Sequence, residues 1–243
     1  MNKEYIINKK HIVIGYFIKA LAIISCIYGL CVGLTEPKDM TYFTNLSNIL
    51  IALMLLLSLV FDIVIHKSNG AKNPKNNFFF IMKFVFTLCI TITFLIYMII
   101  LAPTSDLGFF SSYMNNHCGS LCLHFITPVL AIIDFVFLDY NYKSSPVHSI
   151  YAIIPPLVYV GIIVILATTG MRWGSMSAPY NFLNYGAPTG WFGFDLSQMS
   201  STSLGIGVAY MIVGLVIIFL LIGLLLLLFN KISYKHSLKK FAA

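Results

Sequence analysis

Six stretches of this chain, at about 12–34, 45–65, 78–101, 118–139, 148–169 and 204–229, each supply the roughly 20 mostly apolar residues that a helix needs to cross a bilayer. This feature constrains the fold most. Hydrocarbon offers no water to pair backbone N–H and C=O groups, so each such stretch must satisfy them internally as a helix. The composition agrees: of 243 residues 59% are hydrophobic and 9% charged, where a soluble domain carries about 25% charge. The mean hydropathy is +0.89. A soluble globular domain, a disordered chain and a secreted disulfide mini-protein are excluded. The expected fold is all-α, an integral membrane bundle of six transmembrane helices forming one domain over residues 1–243.

The charges that remain set a direction. Lys3, Lys9 and Lys10 precede the first span, Lys67, Lys72 and Lys75 fall between the second and third, Lys143 follows the fourth, and Lys231, Lys235, Lys239 and Lys240 follow the sixth. The loops on the opposite side hold only Lys38 and Arg172. Cytoplasmic loops collect Lys and Arg, so both termini are expected in the cytoplasm, with a cap loop at about 170–203 outside. The formal charge of +7 therefore reports topology and contact with anionic headgroups, not a nucleic-acid partner. The first stretch follows a basic start, but its apolar run is longer than a signal peptide's and lacks a small-x-small site, so it is expected to remain as a helix. A multi-pass protein of a bacterial plasma membrane is the expected setting.

The five cysteines (Cys26, Cys31, Cys89, Cys118, Cys122) lie inside or at the ends of apolar runs and read as small hydrophobes. Cys118 and Cys122 stand one helical turn apart between His117 and His124, a weak hint of metal; the reading calls for no metal and no cofactor.

Ionisable residues inside spans are costly and mark function or a specific partner. Lys19 in the first span, Lys83 in the third and Asp134 in the fourth fall at a similar depth, roughly 8–10 Å from the inner end at 1.5 Å per residue, so a structural ion pair is expected. A second polar set lies at the outer ends. Thr44, Asn45, Ser47 and Asn48 open the second span in the run Tyr42-Phe43-Thr44-Asn45-Leu46-Ser47-Asn48, and His124 enters the fourth after Asn115, Asn116 and His117. The fifth span delivers Gly170-Met171-Arg172-Trp173 and then Pro179-Tyr180-Asn181-Phe182-Leu183 to the same level. Each has an ordinary reading as well: Thr44 as a helix N-cap, His124 as a hydrogen-bonded core histidine, the asparagines as helix-to-helix glue, and the aromatic run as an interfacial turn. There is no G-x-S-x-G, H-E-x-x-H, P-loop or G-x-G-x-x-G.

The run Tyr-Phe-Thr44-Asn-Leu-Ser-Asn, the run His124-Phe-Ile-Thr-Pro128 with Asp134 ten residues after the histidine, and Thr169-Gly170-Met171 leading to Pro179-Tyr180-Asn181-Phe182-Leu183 resemble, in order and spacing, the androgen-induced membrane hydrolases and their bacterial relatives. The resemblance implies a six-helix intramembrane enzyme that hydrolyses fatty acid esters of hydroxy fatty acids. It implies that Thr44 is the nucleophile and His124 its base. A threonine hydroxyl needs such a base at neutral pH. The free N–H groups opening the second span, with Asn45 or Asn48, would receive the oxyanion, and Trp173, Tyr180, Asn181 and Phe182 would bind substrate. Asp134 lies about 15 Å along the helix from His124 and is expected to be structural. An acyltransferase would share the covalent intermediate. A small transporter lined by Lys19, Lys83 and Asp134 and a non-catalytic lipid-binding protein are the alternatives; a membrane lipid or fatty-acyl ester is the expected partner.

Overall fold

The structure, a computed structural model, describes residues 9–67, 77–103, 105–139 and 144–242. Lys3, Lys72, Lys75 and Lys143, on which part of the expected orientation rests, lie outside the described residues. Among the described residues seven α-helices follow in order: α1 (Lys9–Gly33), α2 (Phe43–Lys67), α3 (Asn77–Ile96), α4 (Phe109–Leu121), α5 (Thr127–Ile133), α6 (Ile154–Thr168) and α7 (Val208–Ala242). Three π turns interrupt or extend them: Tyr97–Leu101 after α3, Cys122–Ile126 between α4 and α5, and Asp134–Leu138 after α5.

Among the described residues six helical stretches are long and apolar enough to cross a membrane: Val13–Gly33, Phe43–Val64, Phe78–Leu101, Phe109–Leu138, Pro146–Thr168 and Val208–His236. At most half of the most apolar window in any of them is buried within the protein. On α1, Val13, Phe17 and Ile24 are 64%, 67% and 64% exposed, an outward apolar surface that fits lipid and not water.

The fourth and sixth spans depart from their expected starts, for different reasons. The fourth helical stretch is apolar from Phe109, but its backbone leaves the helix at Asn115 (φ −60°, ψ 158°) and turns left-handed through Asn116, His117 and Cys118 (φ 50°, 51° and 65°). The short helix before this turn is thereby set apart from the regular climb that begins at Gly119. Three successive non-glycine residues at positive φ cost about 1–3 kcal/mol each. The Tyr28 hydroxyl, which donates to the His117 carbonyl at 2.8 Å, helps to hold the turn. The sixth span starts at Val208 because the preceding residues pair as strands, β1 (Phe194–Ser200) and β2 (Ser203–Ile206). They run antiparallel, with Phe194 opposite Ile206 and Ser200 opposite Ser203. Gly205 sits at φ 69° where a Cβ would lie 2.5 Å from the Asp195 carbonyl oxygen, so only glycine fits. The segment expected as an irregular cap thus contains a hairpin.

The chain divides into two compact units, Met1–His148 with Gly223–Ala243, and Ser149–Ile222. In the first, Ala22, Ile51, Leu55, Ile90 and Ala131 are fully buried and tie α1, α2, α3 and α5 into one core. The Phe80 and Phe84 rings meet Phe135 with centroids 5.7 and 6.0 Å away. At Gly119 a Cβ would stand 2.5 Å from the Val32 side chain, which shows how closely α1 approaches the fourth span. In the second unit, Arg172 Nη1 donates to the carbonyls of Ala167 and Met171, both at 2.8 Å, and so adds a side-chain cap at the end of α6, where the Ala167 carbonyl also accepts the Gly170 N–H at 3.1 Å.

Candidate functional site

Two polar clusters occupy opposite ends of the fourth span. At the Asp134 end the structure brings Lys19, Lys83 and Asp134 together: Lys19 Nζ lies 2.6 Å from Asp134 Oδ1 and Lys83 Nζ 2.8 Å from Oδ2. Two carboxylates not anticipated from the sequence complete the network, with Lys19 3.1 Å from Asp62 and Lys83 3.2 Å from Asp139. Four spans therefore meet through charge. Asp134 is fully buried and both lysines nearly so, an arrangement that survives in a low dielectric only because each carboxylate oxygen of Asp134 faces an ammonium. Three carboxylates face two lysines, and the surplus is relieved at Asp62, whose side chain is 33% exposed. Asn230 on α7 donates to the Phe135 carbonyl at 2.8 Å and closes the π turn that carries Asp134.

The other end is organised by a proline. The Thr127 N–H bonds the Cys122 carbonyl, five residues back, which makes this turn π rather than α. The next bond of that register would join residue 128 to Leu123, but Pro128 has no N–H. The Leu123 carbonyl is left over, and Asn48 Nδ2 takes it at 3.2 Å. The same amide nitrogen also donates to the Thr44 carbonyl at 2.9 Å. One asparagine thus joins the backbone of Thr44 to the residue preceding His124.

Thr44 lies in the first turn of α2, one residue inside its start at Phe43, and so is not the N-cap. The turn before it is fixed by Asp39, whose carboxylate accepts the N–H groups of Glu36 (2.8 Å) and Thr35 (3.0 Å). The Glu36 N–H bond, above all, holds the Asp39 carboxyl below the usual carboxylate range. Asn45 Nδ2 donates to the Asp39 carbonyl at 2.8 Å, and Ser47 Oγ meets Thr93 Oγ1 at 3.0 Å. Asn45 and Asn48, expected as oxyanion donors, spend these N–H groups on backbone carbonyls, and both hydrogens of the Asn48 amide are committed.

His124 stacks face to face on Tyr97, with centroids 3.7 Å apart and planes 12° from parallel. Tyr97 in turn meets the edge of Tyr113 at 5.0 Å and donates its hydroxyl to the Ser112 carbonyl at 2.9 Å. Among the described residues no hydrogen bond joins Thr44 to His124, and the Thr44 hydroxyl itself makes none. Three buried polar atoms of this end also lack a hydrogen-bond partner among the described residues: Asn48 Oδ1, Tyr113 OH and His124 Nδ1. Such atoms are uncommon in native interiors and point to a ligand, a water or a catalytic role.

The remaining expected residues belong to the second unit. Trp173 is buried and its backbone pairs with Met176 (N–H to carbonyl 3.1 Å). Tyr180 stacks on Phe182 with centroids 5.1 Å apart, and Asn181 opens the short 3-10 helix Asn181–Leu183. Among the described residues no group of three or more His, Cys, Asp or Glu is gathered so as to hold a metal ion. Cys118 Sγ instead points at Met114 Sδ (3.7 Å), and Cys122 is buried.

Comparison with known protein families, with curated proteins and with solved structures finds no match to this chain. Tyr97, Tyr113, Asp62, Asp139 and Asn230 were not singled out from the sequence. Asp62 and Asn230 could have been, as polar residues within or beside apolar runs; a tyrosine in a span carries no such signal.

Proposed function

We propose that this protein is an intramembrane lipid-ester hydrolase in which Thr44 is the nucleophile and His124 the base, acting on fatty acid esters of hydroxy fatty acids or related lipid esters. The observation that carries the reading is the Asn48 bridge, which couples Thr44 to the turn bearing His124 while the Thr44 hydroxyl and the imidazole Nδ1 make no hydrogen bond of their own. A structural histidine nitrogen buried at such a place would have found a partner.

In this reaction Thr44 Oγ attacks the ester carbonyl carbon as His124 takes the hydroxyl proton, and the C=O electron pair moves onto oxygen. Collapse restores the carbonyl and expels the alcohol, which leaves with the proton from His124. Water then attacks the acyl-threonine, again giving a proton to His124, and the fatty acid departs as Thr44 regains its hydrogen. An acceptor alcohol in place of water makes the same centre an acyltransferase. Stacking on Tyr97 would orient the imidazole in place of an acidic partner. The proposed setting is a bacterial plasma membrane with both termini cytoplasmic, residues 170–203 outside and the Thr44 end toward the outer leaflet, consistent with the lysine distribution.

A long-chain alkyl fluorophosphonate on membranes containing the wild type or Thr44→Ala tests the chemistry. Labelling at Thr44 in the wild type that is lost in Thr44→Ala is expected. An unlabelled wild type, or labelling that survives the substitution, removes the threonine from the mechanism.

A further inference from the structure

We infer that Tyr113 is a further catalytic residue, whose phenol donates the hydrogen bond that stabilises the oxyanion of the ester under attack; this rests on the hydrolase reading above. The inference begins from side-chain donors that are engaged elsewhere. Both hydrogens of the Asn48 amide are committed, and the Asn45 amide is anchored to the Asp39 carbonyl. The Tyr97 hydroxyl donates to Ser112, Ser25 to the Cys122 carbonyl, Thr127 to Ser25, and Thr93 to the Cys89 carbonyl. Tyr113 differs from these donors: its side chain is buried, 5% exposed, and its hydroxyl has no hydrogen-bond partner among the described residues. An interior phenol without a partner is costly, and more so in a protein that sits in lipid.

Its position is built. The ring of Tyr97 touches both residues, stacking on the His124 imidazole at 3.7 Å and meeting Tyr113 edge to face at 5.0 Å. Phe109 and Phe125 meet the Tyr113 ring at 5.6 and 6.2 Å and restrict its tilt. The backbone is spent on the same end: the left-handed turn at Asn116–Cys118 separates the short helix carrying Tyr113 from the climb carrying His124. Strain of this kind persists where surrounding structure enforces it, commonly at functional sites.

During attack, the carbonyl oxygen gains the electron pair of the breaking π bond and accepts the Tyr113 O–H; the phenol keeps its proton throughout, and the pair returns when the alcohol leaves. A donor that pairs only with developing charge raises kcat and leaves KM nearly alone.

The test is Tyr113→Phe beside Thr44→Ala, both as the full chain, with an ester of a hydroxy fatty acid as substrate and thermal unfolding measured in parallel. Tyr113→Phe should lower kcat roughly 10²- to 10³-fold, change KM by less than about threefold, and leave the unfolding temperature unchanged or raised, because it deletes an unpaired buried hydroxyl. A variant with wild-type kcat, beside an inactive Thr44→Ala, overturns the role of Tyr113 and leaves the hydrolase standing. A clear drop in unfolding temperature identifies the hydroxyl as a structural donor and also overturns it. An active Thr44→Ala, or a wild type without esterase activity, removes both readings together.

Discussion

The two polar clusters of the fourth span are built on opposite principles. At the Asp134 end every charge faces an opposite charge, and three carboxylates from two spans close on two lysines. At the His124 end the aromatic rings are tightly packed, yet the imidazole Nδ1, the Tyr113 phenol and the side-chain oxygen of Asn48 have no partner among the described residues, beside a strained left-handed turn. A π turn carries the central residue in both cases. The local backbone device is therefore shared; what differs is whether the displayed group is satisfied. A satisfied cluster joins helices, whereas an unsatisfied one is held ready for something that arrives.

Substitutions at the two ends should separate stability from activity. Asp134→Asn leaves Lys19 and Lys83 without their common carboxylate, and breaking a buried pair costs about 3–5 kcal/mol. Thermal unfolding in detergent should fall by about 10 °C, with ester turnover per folded molecule largely kept. His124→Ala should do the reverse, lowering turnover roughly 10²- to 10⁴-fold, the usual worth of a general base, at little cost to folding. A stable, inactive Asp134→Asn would erase the distinction and bring the ion network into the chemistry.

Much of this architecture was legible in the sequence, in proportion to how locally each feature is determined. Six spans follow from run length alone. The meeting of Lys19, Lys83 and Asp134 followed from depth, since helices crossing one slab bring residues of equal rise to one level. Asn48 was singled out, with helix-to-helix glue as one of its readings; which carbonyls its donors reach, those of Thr44 and of Leu123 beside Pro128, only the packing of α2 on the fourth span reveals. The turn at Asn116–Cys118 had no glycine to announce it, and tertiary contacts such as Tyr28 on His117 override the local preference. Tyr97 and Tyr113 gave no signal, because an aromatic ring in a span is ordinary until its neighbour proves to be an imidazole.

A smaller effect is expected where the two principles meet, at the ring that packs like core but touches the unsatisfied group. Tyr97→Leu removes the stack on His124, an interaction of about 0.5–1.5 kcal/mol. If that energy goes into orienting the imidazole, kcat falls up to about tenfold, and Tyr97→Trp restores part of it. Steady-state kinetics on the three proteins decides. An unaltered kcat in Tyr97→Leu would make the stack mere packing and leave His124 oriented by something else.

The smallest effect on activity is expected at the turn itself, where substitutions isolate strain from chemistry. Cys118 has φ 65°, and its thiol makes a weak contact with Met114 Sδ at 3.7 Å. A Cβ at such a φ is strained whatever space surrounds it, and glycine removes the strain. Cys118→Gly should therefore stabilise the protein by roughly 1 kcal/mol or less, the gain being trimmed by glycine's greater freedom when unfolded. Cys118→Val places a β-branched side chain where it is least tolerated and should cost about 1–3 kcal/mol. The opposite signs matter more than the sizes, since loss of the sulfur contact is common to both variants and cannot explain a difference between them. Chemical or thermal unfolding of the pair reads this directly. If valine is accepted as readily as glycine, the left-handed turn is not enforced, and the short helix bearing Tyr113 is free to leave His124.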